Sequence, residues 1–258
     1  MCGIFGFALQ EQIEMSKVFK ILQKLETHQY LSEPRPVGGY GAGVAILNDY
    51  GTVSLEKIGK TADSPTKELA EICSFTKASV LIGHVRMPSP EFVETARFKE
   101  TAQPYVVKCY SESAVVCAHN GKVKNYMEIK NKLGAEHVFE SEKVELIDSE
   151  VIPHLFEEII HRKNGADSLE TLFNSLEGSN TTVLLQVDRD NAFLHFLHKG
   201  KTRGLTVWTN DTGELIFCSR KEPLKDEFED VLEGGKFKEL VSIRWQQEKS
   251  FKSSFCIK

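Results

Sequence analysis

Apolar and polar residues follow two alternating periods along the chain, and each change of period marks the boundary of a predicted element. The run from Cys2 to Leu9 is almost entirely apolar, which is typical of a buried strand. From Met15 to Leu25 apolar residues recur every three or four positions with lysines between them, and this spacing predicts an amphipathic helix. Further strands are predicted at 44–47, 52–58, 79–85 and 113–121.

The remaining helices begin or end at recognisable signals. Ser64-Pro65 offers an N-cap followed by a proline in the first turn, Gly134 ends a lysine-rich segment, and Asp148-Ser149 precedes paired apolar residues. The predicted helices are 64–77, 124–133, 149–163 and 167–176.

Four strand-like runs follow these helices and are joined by short polar turns. They lie at 181–187, 192–198, 205–209 and 214–219, and residues 222–245 are predicted to add a helix and a closing strand. Parallel neighbours need a crossover of a dozen or more residues, so links this short predict antiparallel pairing. The chain is therefore expected to be of the α+β class, with mainly antiparallel sheets.

One segment interrupts the periodic pattern early in the chain. Residues 32–43 read SEPRPVGGYGAG, with two prolines and four glycines. Proline breaks regular structure, and glycine lets the backbone come close to another group. This segment is predicted to be a loop whose backbone closely approaches another part of the molecule.

Composition limits the classes of function. The chain has 258 residues, of which 41% are hydrophobic, and this suffices for one large core in a single domain, residues 1–258. A formal charge of -5 offers no basic stripe for a phosphate backbone, so no nucleic-acid partner is expected. The apolar start is too short for a membrane span and lacks the basic segment of a signal peptide, so a cytoplasmic location without a membrane partner is expected.

Cysteine and histidine spacing gives no indication of a metal site. The six cysteines include no C-x-x-C pair, and the eight histidines show no H-x-x-x-H next to an acidic residue. Cys109 and Cys117 lie in adjacent strand-like runs and could approach each other, although cytosolic thiols are usually reduced. His84 and His119 lie within strand-like segments and are expected to be structural. No metal is therefore expected.

Cys2 directly follows the initiator methionine, and at this position one residue can combine two reactive groups. If Met1 is removed, one residue carries both a thiol and a free α-amine, with reference pKa values of roughly 8.5 and 8. The amine can then accept the proton of its own side chain, so one residue supplies nucleophile and base. A buried first strand would hold this chain end rigidly. The alternative is that a cysteine at position 2 is incidental.

Five short motifs follow one another in the first part of the chain. They are MCGIFG at 1–6, GGYGAGVAI at 38–46, GHVR at 83–86, AHNGKVKNY at 118–126 and DSEVI at 148–152. In this order they resemble the motifs of the class II glutamine amidotransferases, whose glutaminase domains are N-terminal nucleophile hydrolases. A weaker match extends through the later strands to FCSR at 217–220. Five collinear matches are far more specific than any one of them.

The resemblance implies a fold and a reaction. The fold is a four-layer α-β-β-α sandwich of two mainly antiparallel sheets, with Cys2 at the end of a central strand. The reaction is hydrolysis of the glutamine side-chain amide through a γ-glutamyl thioester, with release of ammonia. No prosthetic group or other cofactor is required, because the α-amine and the oxyanion donors suffice.

The resemblance also implies a role for each matching residue. Cys2 is the nucleophile, and the Asn120 side-chain amide and the Gly121 N–H stabilise the oxyanion. Arg86 binds the α-carboxylate of glutamine, for which a fork-shaped cation is suited, and Asp148 binds the α-ammonium. Ser89 replaces the threonine whose hydroxyl contacts glutamine in the family.

Four of these residues can also be explained without a bound glutamine. Asp148 before a helix is a good N-cap. The pair Asn120-Gly121 is a common hairpin turn. Arg86 could belong to a surface ion pair.

The chain also departs from the pattern of the family at two places. Amidotransferases that make amino sugars typically have Trp-Ala-Thr-His after the arginine, a flexible loop that closes over glutamine, whereas residues 87–90 here are Met-Pro-Ser-Pro. Two prolines stiffen this loop and the gating tryptophan is missing. The glycine-rich segment has Tyr40-Gly41 in place of the Asp-Ser pair of the family.

The destination of the ammonia is a further question. Family members that synthesise amino sugars, phosphoribosylamine, asparagine or glutamate carry a second domain or long extension that consumes it, and residues 221–258 are not expected to form one. Either a separate synthase subunit receives the ammonia, or the protein hydrolyses glutamine or another γ-glutamyl amide without an acceptor. A third interpretation is a catalytically idle subunit that binds glutamine and regulates a partner. The oligomeric state is left open.

Overall fold

The computed structural model describes residues 2–48, 51–110, 113–163, 167–189, 191–232 and 234–257. The strands within this part of the chain are β1 (Gly3–Glu14), β2 (Gly41–Leu47), β3 (Val53–Gly59), β4 (Lys77–Val85), β5 (Tyr105–Val107), β6 (Ser113–Gly121), β7 (Asn180–Asp188), β8 (Ala192–Gly200), β9 (Leu205–Thr209), β10 (Leu215–Cys218), β11 (Lys238–Ile243) and β12 (Lys249–Ile257). The helices are α1 (Met15–Thr27), α2 (Pro65–Ile72), α3 (Tyr126–Lys132), α4 (Val151–Lys163), α5 (Ser168–Ser175) and α6 (Lys225–Leu232).

Two antiparallel sheets form the centre of the molecule. The larger has seven strands in the order β11-β9-β10-β1-β4-β2-β3, and the smaller has five in the order β12-β8-β7-β6-β5. Every pair of neighbouring strands is antiparallel, which confirms the prediction from the short links. Within the described residues, no helix combines the length and the apolar character that a bilayer crossing requires.

The apolar residues form three main clusters that separate four layers. One cluster lies between the two sheets, a second joins the larger sheet to α1, α2 and α6, and a third joins the smaller sheet to α3, α4 and α5. The order of the layers is therefore helices, large sheet, small sheet, helices. This confirms the expected α-β-β-α sandwich.

Strand β1 lies in the middle of the larger sheet, and its side chains alternate between two of these clusters. Ile4 and Ala8 face the smaller sheet, whereas Phe5 and Phe7 face α1. Alternation of this kind follows from the two-residue period of a strand. Because both faces are covered from Gly3 to Ala8, every position in this part of β1 is apolar or glycine, and the start of the strand is held firmly between its neighbours.

The structure corrects some of the predicted elements. The helix predicted at 64–77 ends at Ile72, since the chain turns there to enter β4. Strands β5 and β12 were not predicted. β12 does carry a two-residue pattern, with Phe251, Phe255 and Ile257 packed against the cluster between the sheets, but β5 is too short to give one.

Cys109 and Cys117 are not joined by a disulfide. All six cysteines, each of which lies in the described part of the chain, are free thiols. Cys117 is buried in β6, while the sulfur of Cys109 lies 3.5 Å from Nδ1 of His154.

Candidate active site

Cys2 immediately precedes the first residue of β1, and it lies beside the last residue of β4. Gly3 pairs with Val85, so Cys2 stands next to Arg86 and Met87. The sulfur of Cys2 accepts a hydrogen bond from the backbone N–H of Met87 at 3.3 Å, and it lies 3.5 Å from the Met87 carbonyl oxygen. The thiol is half-buried. The sheet therefore fixes the sulfur beside an N–H donor that can stabilise a thiolate.

A small cavity of about 60 Å³ opens at this sulfur. Its lining brings together residues from distant parts of the chain: Cys2, Arg86, Met87, Pro88, Ser89, Phe92, Gln103, His119, Gly121, Ile147, Asp148 and Ser149. Of the six residues predicted for the site, all except Asn120 line this cavity. Four of the five motifs that are collinear in the sequence thus contribute residues to one cavity.

Arg86 is buried, so it does not belong to a surface ion pair. Its guanidinium donates hydrogen bonds to the hydroxyl of Thr95 at 2.9 Å and to that of Thr101. Both threonines belong to 3-10 turns that follow the loop at 87–90. Burial lowers the pKa of Arg86, while the negative charges of Cys2 and Asp148 are among the effects that oppose this.

The glycine-rich loop supports Arg86 through its backbone. The N–H of Tyr40 donates to the carbonyl of Arg86 at 3.0 Å, and the N–H of Arg86 donates to the carbonyl of Gly41 at 2.8 Å. Gly41 has a φ of +135°, which favours glycine. The predicted close approach of this loop is therefore confirmed, and its target is the residue that ends β4.

Asp148 begins a 3-10 turn just before α4 and does not cap it. Its Oδ2 instead accepts a hydrogen bond from the backbone N–H of Val123 at 2.8 Å. Burial raises the pKa of Asp148 to about 6, and hydrogen bonds from the N–H groups of Val123 and Ser149 partly oppose this rise. The group is therefore mostly ionised at neutral pH, but it is close to titration.

Asn120 and Gly121 end strand β6 and do not form a hairpin turn. Asn120 pairs with Thr181, and Gly121 pairs with Asn180 of β7. Gly121 has a φ of +148°, and a Cβ there would lie 2.0 Å from the backbone oxygen of Ser179. Only glycine fits at this position, which borders the cavity.

The side chain of Asn120 lies between the sheets and reaches Ser219, a residue without a predicted role. The Asn120 amide donates to the Ser219 hydroxyl at 2.9 Å, and the same hydroxyl accepts from the backbone N–H of Ile4 at 3.0 Å. Within the described residues, Oδ1 of Asn120 has no hydrogen-bond partner. Ser219 thus couples the end of β6 to the strand that carries Cys2.

His119 forms part of the cavity wall and is held by its neighbours. Its ring nitrogens contact the Ser149 hydroxyl at 2.8 Å and the Asn180 side-chain oxygen at 2.9 Å. Its backbone N–H donates to Gln103, a cavity residue that the sequence did not indicate, at 2.7 Å. Burial lowers the pKa of His119 to about 4, so the ring is neutral at physiological pH. This agrees with a structural role.

A buried charge cluster lies near Cys2. Oε1 of Glu33 pairs with Arg203 at 3.1 Å and also with Arg220, and the Arg220 side chain donates to the Arg203 carbonyl at 2.6 Å. Burial lowers the pKa of Arg203, and the charges of Glu33 and Cys2 are among the effects that oppose this. Two cations and one anion leave this cluster with a net positive charge.

Comparison with known proteins gives one family and a group of relatives. The family model described as "Glutamine amidotransferase domain" matches residues 93–226, just over half of the chain. The glutamine--fructose-6-phosphate aminotransferase of Methanococcus maripaludis is 32% identical over 198 residues, which cover 73% of this chain and 28% of the relative. That of Methanosarcina mazei is 27% identical over 281 residues, which cover 99% of this chain and 42% of the relative. The chain thus spans well under half of the length of these relatives.

Solved structures show the same fold at low sequence identity. The allosteric regulatory enzyme of purine biosynthesis matches with a TM-score of 0.62 at 18% identity, over 98% of this chain and 48% of the other. The glutamine phosphoribosylpyrophosphate amidotransferase of Bacillus subtilis matches with a TM-score of 0.61 at 18% identity, over 98% of this chain and 49% of the other. Identity this low supports the fold alone.

Proposed function

This chain belongs to the class II glutamine amidotransferase family, and from that premise we propose that it hydrolyses the side-chain amide of glutamine with Cys2 as nucleophile. Glutamine and water would give glutamate and ammonia through a γ-glutamyl thioester. One observation carries the proposal: Cys2, Arg86, Ser89, Gly121 and Asp148 line the same cavity although the sequence separates them widely.

The proposed first step is attack of the Cys2 sulfur on the amide carbon. The thiol proton passes to the α-amine of Cys2, which requires that Met1 has been removed; Met1 itself lies outside the described residues. The same amine then protonates the departing nitrogen as the tetrahedral intermediate collapses to the thioester and ammonia. Attack of water on the thioester restores the thiol and releases glutamate.

The oxyanion of each tetrahedral intermediate would be stabilised by Gly121 and Asn120. The amide nitrogen of Asn120 carries two hydrogens and donates one to Ser219, so the second would have to serve the oxyanion. Removal of one such donor typically lowers the rate about 100- to 1000-fold. Arg86 and Asp148 would bind the α-carboxylate and the α-ammonium, and Ser89 would contact the substrate through its hydroxyl.

An ammonia-release assay on the wild type and on Cys2→Ala tests the proposal. Cys73→Ala is the matched control, because Cys73 is also a half-buried free thiol but does not line the cavity. We expect release by the wild type and the control and none by Cys2→Ala, together with labelling of Cys2 by 6-diazo-5-oxo-norleucine. Equal release by wild type and Cys2→Ala would eliminate the catalytic role. Intact mass shows directly whether Met1 has been removed.

The stiff loop at 87–90 supports a second candidate, hydrolysis of another γ-glutamyl amide. Pro88 and Pro90 flank Ser89, and 3-10 turns follow directly, so this segment does not resemble an open flexible lid. Steady-state rates with glutamine and with γ-glutamyl amides distinguish the two substrates. Binding of glutamine without turnover would instead favour an idle regulatory subunit.

A further part of the proposal concerns the domain, its cellular location and the acceptor of the ammonia. We propose that residues 1–258 act as one glutamine amidotransferase domain in the cytoplasm and that a separate synthase subunit accepts the ammonia. Support comes from the aminotransferases among the relatives, most of whose length lies outside the match. Affinity purification of the tagged chain, followed by assay for ammonia-dependent synthesis, tests the acceptor.

A further inference from the structure

A second cluster of reactive side chains lies away from the Cys2 cavity, between α4 and two loops. Cys109 follows β5, His137 lies in the segment after α3, and His154 and Glu157 lie on α4. One ligand atom from each of the four lies within 4.8 Å of all the others. No spacing along the sequence indicates this group, because its members come from three separate segments.

The distances between the potential ligand atoms of the cluster resemble those between atoms that bind the same metal ion. Nδ1 of His137 lies 3.1 Å from Nδ1 of His154, and the sulfur of Cys109 lies 3.5 Å from the same atom of His154. Oε2 of Glu157 lies 4.0 Å from Nδ1 of His137. Ligand atoms at tetrahedral positions about 2.0–2.3 Å from a zinc ion lie about 3.3–3.7 Å apart.

Two buried atoms of the cluster lack a hydrogen-bond partner. A bound ion would provide a partner for one of them, Oε2 of Glu157. Among the described residues, neither Oε2 of Glu157 nor Nε2 of His154 has a hydrogen bond, although the side chain of Glu157 is 0% exposed. The other oxygen of Glu157 accepts from the backbone N–H groups of Cys109 at 2.8 Å and Tyr110 at 3.2 Å. These bonds fix the carboxylate so that Oε2 faces the cluster, and an unpaired buried carboxylate oxygen is costly.

We propose that Cys109, His137, His154 and Glu157 bind a single Zn²⁺ ion. One thiolate, two imidazoles and one carboxylate form a ligand set that suits Zn²⁺ better than the oxygen-preferring Mg²⁺ or Ca²⁺. Four protein ligands complete a tetrahedral shell and leave no open position. The ion is therefore structural rather than catalytic.

The surrounding residues support this assignment. Nε2 of His137 lies 3.2 Å from Oε2 of Glu158, which also accepts a hydrogen bond from the Tyr110 hydroxyl. A carboxylate behind a ligating histidine fixes the ring and its tautomer, as is usual at zinc sites.

The ion would also change the state of Cys109. Binding of Zn²⁺ displaces the thiol proton to solvent, because a coordinated thiol is deprotonated.

The site would tie the loops to the helix that follows Asp148. His154 lies six positions after Asp148, on the same helical segment, while Cys109 and His137 belong to the loops that cover it. An ion held by all three segments would fix the first turns of α4. This role does not depend on the reaction proposed for Cys2.

Metal analysis of the purified full-length chain tests the proposal. We expect about one Zn²⁺ per chain, and we expect the chelated protein to take up Co²⁺ with the thiolate-to-metal absorption band of a cysteine ligand. Cys109→Ser should abolish this band, whereas Cys73→Ser, which alters a half-buried thiol outside the cluster, should retain it.

A milder variant keeps the test valid if removal of a ligand disturbs folding. Glu158→Gln leaves all four ligands in place and should weaken Zn²⁺ binding about 10- to 100-fold. Circular dichroism checks that each variant is folded. The proposal is overturned if the folded wild type shows no thiolate band with Co²⁺, or if Cys109→Ser and Glu158→Gln bind Zn²⁺ as tightly as the wild type does.

Discussion

At the scale of single residues, burial sets the ionisation of the groups around Cys2. It lowers the pKa of His119 to about 4 and raises that of Asp148 to about 6. His119 is therefore a neutral part of the wall, whereas Asp148 can change its charge within an accessible pH range. Both consequences depend on how closely neighbouring elements cover the side chains.

Binding of glutamine should depend on the charge of Asp148. Since its pKa is raised to about 6, the carboxyl loses its charge below that pH and can no longer pair with an ammonium group. We expect kcat/KM for glutamine to fall about tenfold per pH unit below that value. Steady-state rates across this range check the expectation, and a flat profile down to pH 5 would contradict it.

Asp148→Asn should remove this dependence and also stabilise the ligand-free protein. A pKa raised in the folded state means that ionisation opposes folding, a cost absent below about pH 4 and complete above about pH 6. Removing the charge should therefore increase the free energy of unfolding at pH 7.5 by about 2–3 kcal/mol. Urea titrations of both proteins at pH 4 and pH 7.5 check this, because the difference should vanish at the lower pH.

Gly121→Ala should destabilise the protein because of both its backbone angle and its surroundings. The φ of +148° disfavours a side chain, and the new Cβ would lie 2.0 Å from the oxygen of Ser179. We expect a loss of at least about 3 kcal/mol. Gly213→Ala is the control, since its φ is +82° but nothing lies within 4 Å. Equal losses in denaturant titrations would show that the close contact has no effect.

At the scale of elements, buried side chains join loops that the sheets alone would leave apart. Glu33 lies in the loop after α1, Arg203 in the turn between β8 and β9, and Arg220 directly after β10. Their ion pairs bring these three connections together beside the end of β1. These loops therefore bring a buried charge cluster within electrostatic range of Cys2.

Glu33→Gln should be strongly destabilising because it leaves two buried guanidinium groups without their anion. Loss of one partner from a buried pair typically costs about 3–5 kcal/mol. The control is Glu222→Gln, whose side chain is 45% exposed and pairs with His28 at 3.6 Å. Its loss should be below about 1 kcal/mol. Similar unfolding midpoints for the two variants would refute the importance of the buried cluster.

At the scale of the whole molecule, the two sheets share one core and should unfold together. Phe196 of the smaller sheet and Phe217 of the larger sheet are fully buried, and their rings meet edge to face with centroids 5.2 Å apart. Such a contact across the interface couples the stability of one sheet to that of the other.

A double-mutant cycle at Phe196 and Phe217 measures this coupling. We expect an interaction energy of about 0.5–1.5 kcal/mol between Phe196→Leu and Phe217→Leu. Unfolding of the wild type should give coincident transitions by tryptophan fluorescence, which reports on Trp208 of the larger sheet and on Trp245 just after β11, and by far-UV circular dichroism. Two separate transitions would argue against a single cooperative domain.

The sequence by itself determined the elements with a strong period and the residues that form motifs. The alternation along β1, the stripe of α1 and the short links between β7 and β10 depend on local chemistry, so they could be predicted without a structure. The collinear motifs predicted Cys2, Arg86 and Asp148 as site residues through their resemblance to the class II glutamine amidotransferases, and this prediction needed no structure.

Only the tertiary structure decided which distant residues meet. The bond from Asn120 to Ser219 joins positions 99 residues apart, and the group of Cys109, His137, His154 and Glu157 comes from three segments without a shared spacing. Burial is also a property of the assembled layers, and it sets the charge of Asp148. A local pattern records only what neighbours along the chain require, whereas these contacts arise when separate sheets, loops and helices pack together.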